Sequence, residues 1–286
     1  MTPLPTNWVL SAKRLYWEFR ANPYHFSRHG LILARCAFEA AGYIARGHAN
    51  FGTCPICERH TVFIERDPWL RDNYLCIHCR SVPRFRAIIY ILQQLFPNYR
   101  DLSIHESSPS GASSLKLARE CKDYSASQFF QDVRPGEFRH RVRCENLEAM
   151  TFMDATFDLF VTQDVMEHVM TPAAGFAEIA RVLKPGGAHL FTVPYDARHK
   201  TRVRALAREG QVTYLADEVY HRNPIDPEGS LVVTDWGWDL PDRIHEASGL
   251  TTTVYQLRDR ALGLDAEYLE VFVSRKGDTD EGHRAT

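Results

Sequence analysis

No apolar run in this chain is long enough to cross a bilayer. The longest, Leu31 to Ala45, is interrupted by Arg35 and Glu39 and falls short of the roughly 20 residues that a core of about 30 Å requires. It reads instead as a buried or docking helix. An excess of positive charge is also lacking, because 34 Lys and Arg against 36 Asp and Glu leave a formal net charge of -2. A chain so balanced has no global basic field to hold a polyanion, so nucleic-acid binding would need a local patch, and none dominates. The opening residues MTPLPTNWVLSAKR lack a basic start followed by an uninterrupted apolar core. They do not read as a secretion signal, and a cytoplasmic location is expected. No internal repeat and no low-complexity linker is visible. The cysteines number seven, an odd count, and four of them sit in two close pairs spaced for metal rather than for a disulfide scaffold.

What is present is enough for a core. Hydrophobic residues make up 44% and charged residues 24%, the balance of a folded globular chain. Its 286 residues accommodate one α/β domain of about 180 to 200 residues with a smaller unit beside it. Two helical patterns, Val9 to Arg20 and Leu31 to Ala45, are separated by the turn-prone Asn22-Pro23 and carry no recognisable chemistry.

Cys54 and Cys57 are separated by two residues, Cys76 and Cys79 likewise, with eighteen residues between the pairs. Each pair can form a tight knuckle, and two knuckles joined by a hairpin, with Thr61 to Glu65 as one strand, supply a closed tetrahedral thiolate site. That donor set favours structural zinc, because a catalytic ion keeps a position open for water, with an iron–sulfur cluster as the alternative. Such an ion contributes on the order of 10 kcal/mol to a unit too small to fold on its own apolar core. Arg80, Arg84 and Arg86 read as a solvated helix face, with a phosphate-contacting patch as the alternative. Ala87 to Phe96 is an apolar helix ending before Pro97.

From Leu102 onward short apolar runs alternate with helical ones: strands 102–106, 123–128, 141–144, 157–162 and 188–193, helices 111–121 and 173–183. Alternation of this kind implies a parallel sheet with helices on both faces. Thr251 to Gln256 and Tyr268 to Ser274 suit an antiparallel pair at one sheet edge, and the polar tail GDTDEGHRAT is expected to fray.

Two blocks are more specific: FDLFVTQDVMEHV, Phe157 to Val169, and AEIARVLKPGGAHLFTVP, Ala177 to Pro194. In order and spacing they resemble the class I S-adenosylmethionine-dependent methyltransferases of the type 11-like branch, a resemblance that covers roughly residues 100 to 275. It implies an α/β fold with a Rossmann-like seven-stranded methyltransferase sheet and an antiparallel last strand pair, preceded here by a small zinc-ribbon-like module and N-terminal helices. The expected units are a helical extension (1–50), the zinc-binding module (51–85), the methyltransferase domain (86–275) and a flexible tail (276–286).

The resemblance also implies S-adenosylmethionine as cofactor, bound where the strand ends of a doubly wound sheet open a crevice. The cofactor loop falls on LSIHESSPSGASS, Leu102 to Ser114, with Glu106 at the family's acidic position and Ser107 after it. Ser108 and Ser110 stand where the first two glycines are expected, and Gly111 is out of step. Small serines still permit close approach, and their hydroxyls can bond a carboxylate. The position that holds the ribose hydroxyls falls on Gln128, with Asp132 as a substitute; Asn146 and Leu147 fall in the loop that recognises adenine, and Gln163 and Asp164 end the fourth strand.

Methyl transfer from a sulfonium is an in-line displacement, so a base is optional, but an oxygen nucleophile gains from one. His168 and His221 are the candidates. His221 lies in an insertion from about Tyr195 to Leu240 that also holds Arg198, His199, Arg202, Arg204, Asp235, Trp236 and Trp238, a mixture suited to a small polar molecule or glycan. Gln163-Asp164-Val165-Met166 stands where amino-methylating nucleic-acid enzymes carry Asn-Pro-Pro-aromatic, which argues against an exocyclic base amine. Two alternatives remain open: an RNA or protein methyltransferase that uses the zinc module for recognition, with Arg80, Arg84 and Arg86 sharing a surface with the catalytic mouth, or a non-catalytic binding protein on a methyltransferase scaffold.

Overall fold

The computed structural model describes residues 39–208, 211–223 and 226–278. The expected helix Val9 to Arg20 and most of the tail lie outside them, and of the Leu31 to Ala45 pattern residues 39–45 are helical.

A three-stranded antiparallel sheet comes first, from β1 (Ala49–Thr53), β2 (His60–Glu65) and β3 (Tyr74–Cys76), with the short α1 (Leu70–Asn73) before β3. The connecting helix α2 (Pro83–Leu95) begins four residues before the expected Ala87, because Val82 is extended and Pro83 supplies a preset φ at the first helical turn.

The main sheet is assembled from β4 (Ser103–Ser107), β5 (Asp123–Gln128), β6 (Phe138–Arg139), β7 (Val142–Cys144), β8 (Phe157–Gln163), β9 (Leu183–Thr192), β17 (Thr251–Tyr255) and β18 (Val271–Arg275), in the order β17-β18-β9-β8-β4-β5-β7-β6. The five strands from β9 to β7 are mutually parallel, whereas β18 runs antiparallel to both β9 and β17. This is the expected frame with one addition, the two-residue β6 laid antiparallel outside β7. Helices α3 (Gly111–Glu120) and α4 (Pro172–Val182) make the crossovers.

The insertion folds as short strands. β10 (Tyr195–Asp196) and β11 (Arg202–Val203) flank β16 (Thr234–Gly237), and two hairpins, β12 (Ala205–Arg208) with β13 (Gln211–Tyr214) and β14 (Tyr220–Asn223) with β15 (Asp226–Leu231), lie between them in sequence. Helix α5 (Leu240–Ser248) leads back to the sheet edge.

Alternation along the central strands divides the core in two. Leu159, Val161, Leu190 and Val273 share one cluster with Phe63 and Ile64 of the hairpin, Ile89 and Leu92 of α2 and Leu117 of α3. Phe160, Phe191 and Phe272 point the other way, onto Phe176 and Ile179 of α4, Trp236 of β16 and Ile244 of α5. The cysteine module is therefore part of the layer that covers one face of the main sheet, not a unit tethered in front of it.

Arg86 fixes that docking. Its side chain is fully buried, donating from Nε and Nη2 to Gly263 O (3.0 and 2.7 Å), from Nη2 to Tyr74 O (2.8 Å) and from Nη1 to the Ser81 carbonyl, while its guanidinium lies 4.7 Å from the Phe63 ring centroid. The expectation of a solvated face is corrected here: Arg86 satisfies carbonyls of the module and of the loop before β18, and Arg80 pairs with Glu39 at 3.1 Å.

Candidate functional site

The two cysteine pairs form matching knuckles. Glu58 N donates to Cys54 O (2.8 Å) and Arg80 N to Cys76 O (2.9 Å), and Glu58 and Arg80, each directly after a pair, both adopt positive φ. The four sulfurs lie within 4.8 Å of one another, with 3.6 Å from Cys54 to Cys79 and 3.9 Å from Cys57 to Cys76. Four thiolates about 2.3 Å from a tetrahedral ion are about 3.8 Å apart, so the arrangement fits zinc without rearrangement. Ser81 Oγ, 3.1 Å from Cys79 and 3.5 Å from Cys54, and Thr61 Oγ1, 3.4 Å from Cys76, supply the outer hydroxyls. His60 and His78 are outside this set.

The topology brings the expected cofactor residues to one edge of the main sheet. Glu106 and Ser107 end β4, Gln128 ends β5, Asn146 and Leu147 follow β7, and Gln163 ends β8 with Asp164 after it. Ser108 holds a left-handed φ of 55° and Ser110 is the N-cap of α3 with no side-chain bond to the helix N–H groups. A helix start without a side-chain cap, placed at the strand ends, can donate N–H groups to a carboxylate, which fits an amino-acid-bearing cofactor.

Several of those side chains do other work. Glu106 is buried, accepting from Ser114 Oγ (2.7 Å), Gln163 Nε2 (2.8 Å) and Tyr124 Oη (2.6 Å). Burial pushes its pKa up against those three donors. It thus ties β4, β5, β8 and α3 together. A Cβ on Gly111, whose φ is 74°, would lie 2.0 Å from the Phe85 ring of α2, so its small size serves helix packing. Leu147 is buried in the second core cluster, Asn146 Oδ1 accepts from Glu148 N (3.0 Å), and Asp132 pairs with Arg139.

Past the end of β8 lies a charged cluster that reaches across the whole chain. Asp164, at φ 53°, accepts from Arg71 Nη2 of α1 (2.6 Å) and Thr192 Oγ1 of β9 (2.9 Å), with Arg84 of α2 at 3.6 Å. Burial alone would raise its pKa, but the two guanidinium groups hold it below the usual carboxylate value. Arg71 is itself buried, and its Nη1 has no hydrogen-bond partner.

Beside this pair the turn Met166–His168 carries Glu167, which is 1% exposed and whose two carboxylate oxygens have no hydrogen-bond partner. Two ring nitrogens approach its Oε1, His168 Nε2 at 3.7 Å and His221 Nδ1, from β14, at 3.8 Å. The two imidazoles meet edge to face, 5.2 Å between centroids. The Glu167 carboxylate pushes the His221 pKa up, with burial opposing. The two sequence candidates for catalysis are thus neighbours, and the residues that sequence reasoning did not nominate are Glu167 and Arg71. Adjacency to His168 was the one available signal for Glu167, while Arg71 is 93 residues from its partner.

Within the insertion Arg204 pairs with Asp235 (2.8 Å) and Arg198 with Asp196 (2.8 Å), and Trp236 is in the core, so among these Trp238 and His199 present exposed rings. Arg80, Arg84 and Arg86 do not form one basic surface: Arg84 alone reaches the cluster.

A parallel sheet with an antiparallel last pair, and polar residues gathered past its central strand ends, is the frame of the S-adenosylmethionine-dependent methyltransferases. Residues 111–191 match the family described as methyltransferase domain. Among solved structures, an S-adenosylmethionine dependent methyltransferase from Mesorhizobium loti aligns at 16% identity with a TM-score of 0.45, over 66% of this chain and 98% of that one. The 1,6-didemethyltoxoflavin-N1-methyltransferase of Burkholderia thailandensis, with bound 1,6-didemethyltoxoflavin and S-adenosylhomocysteine, aligns at 16% identity with a TM-score of 0.45, over 68% of this chain and 79% of that one. No curated protein sequence matches the chain. Among the described residues no helix is long and apolar enough to cross a membrane.

Proposed function

We propose that the protein is an S-adenosylmethionine-dependent methyltransferase acting on an oxygen of a small polar molecule or glycan, and that its four cysteines hold a structural zinc. The observation that carries the first reading is the Glu167, His168 and His221 cluster, set directly past β8 and roofed by the β14–β15 hairpin of the insertion. The cofactor supplies an electrophilic methyl group when bound. The protein's share is to align the acceptor and keep water out, and a hydroxyl acceptor is helped by groups that take or stabilise its proton. Arg71, Arg84 and Asp164 beside the cluster offer charged partners to a polar acceptor.

Calorimetry with S-adenosylmethionine should show binding, with Glu106, Ser107, Ser108, Ser110, Gly111, Gln128, Asn146, Leu147, Gln163 and Asp164 forming or supporting its site. Absence of binding at millimolar cofactor would reject the reading. Screening glycan and metabolite pools with labelled cofactor should yield an O-methylated product, and His221→Ala should lower turnover roughly 10²- to 10⁴-fold while leaving cofactor affinity nearly intact. Methyl transfer to RNA, with binding that weakens steeply as salt rises, would overturn the acceptor class.

For zinc the support is the fit of the sulfur separations to a tetrahedron. Metal analysis should find it, and Cys76→Ser should destabilise the fold severely, because the module also covers one face of the main sheet. A metal-free protein that melts unchanged after that substitution would refute the assignment.

A further inference from the structure

We infer that Glu167, His168 and His221 form a second metal site, which takes a divalent first-row transition ion distinct from the thiolate-bound one. Glu167 is the central group. A carboxylate 1% exposed whose oxygens both lack a hydrogen-bond partner is costly unless a cation meets it.

Two nitrogens are aimed at it. His168 Nδ1 lies 2.8 Å from the Leu231 carbonyl oxygen, and a carbonyl only accepts, so Nδ1 carries a proton and Nε2 is the ring nitrogen that faces Glu167 and can ligate an ion. Donation of the far ring nitrogen to a backbone carbonyl is how metal-bound imidazoles are usually oriented. His221 Nδ1 approaches from the opposite element, β14.

One carboxylate oxygen and the two ring nitrogens all lie within 4.8 Å of one another. The separations from Glu167 Oε1 of 3.7 and 3.8 Å are close to the ~3.6 Å between two ligands about 2.1 Å from one ion at a trigonal angle. Two imidazoles and a carboxylate leave coordination positions open, and that donor set suits first-row transition ions. Asp164 and Arg71 are the charged groups that also act on His221. Asp164 is engaged by Arg71 and Thr192, which leaves Glu167 as the carboxylate available to the ion. That the open positions face the methyl acceptor rests on the reading above; the ion site itself does not.

The test uses the full zinc-loaded chain titrated with Mn²⁺ alone and, separately, with Co²⁺, followed by electron paramagnetic resonance and visible absorption. Thiolates select softer ions than Mn²⁺, and a thiolate-to-cobalt charge-transfer band would reveal exchange into the cysteine site. The expected result is one further ion per chain, with affinity reduced at least tenfold in both Glu167→Gln and His221→Gln and unchanged in His199→Ala, an exposed histidine outside the cluster. His221→Gln is half-buried at most, so it reports even if Glu167→Gln impairs folding. Overturning results are saturation with neither ion, or binding that both variants leave intact. If neither ion binds and Glu167→Gln lowers the His221 pKa in an NMR titration, the trio is an imidazolium–carboxylate pair and the inference falls. Ion binding without S-adenosylmethionine binding would sink the methyl-transfer reading and leave this site standing. Cofactor binding without ion binding would do the reverse.

Discussion

His189→Phe isolates one source of acid sensitivity. His189, on β9, is fully buried, with its ring stacked 4.4 Å from Phe191 and flanked by Phe160 and Phe176. Nε2 meets Thr162 Oγ1 at 3.0 Å, and Nδ1 has no partner. Burial pushes its pKa down from 6.5 to about 3. The sign follows from which state binds protons. Between about pH 6.5 and pH 3 the unfolded chain carries a proton on this residue that the folded one excludes, so stability falls as pH falls through that window. At pH 5 the loss is RT ln(1 + 10^1.5), about 2 kcal/mol, and it is insensitive to the folded value so long as that stays below 4. Phenylalanine keeps the ring and its aromatic neighbours and removes the titration. Denaturant unfolding of both proteins at pH 7.5 and pH 5 should therefore show a pH-dependent loss smaller by about 2 kcal/mol in the variant. Taking the difference cancels the acid sensitivity of the cysteine site, which is common to both. Equal losses in the two proteins would show that His189 is protonated in the folded state or has access to water.

Gly111→Ala should cost about 2 to 4 kcal/mol, from a Cβ placed 2.0 Å from Phe85 on a left-handed residue. Adding Phe85→Ala should make the two costs non-additive, and a single-variant cost below about 1 kcal/mol would contradict the packing. Arg86→Met should destabilise by roughly 3 to 5 kcal/mol, because the Gly263, Tyr74 and Ser81 carbonyls lose a buried cation; an unchanged unfolding midpoint would show that water replaces it.

The sequence alone determined whatever depends on local pattern. Paired cysteines at fixed spacing must form knuckles, and the apolar runs from Leu102 to Thr192 set the parallel strands and crossovers to within a few residues. Leu183 to Gly187 belongs to β9, with a register shift against β8 between Phe157 and Leu159 and a φ of 73° at Gly186, so that strand begins five residues before the expected 188. What the chain brings together over long separations was not legible. Arg71 meets Asp164, Arg86 meets Gly263 and His221 meets Glu167 only because the cysteine module packs flat on the sheet and the β14–β15 hairpin folds back over β8. Local periodicity reports which face of an element is apolar, not what covers that face. For that reason Arg86 looked like a solvated surface residue and lies in the interior, and Glu106 looked like a ligand-facing acid and is a tie between strands. His168 and His221, 53 positions apart in the chain, converge on a buried carboxylate because tertiary packing placed two separate elements against the same turn.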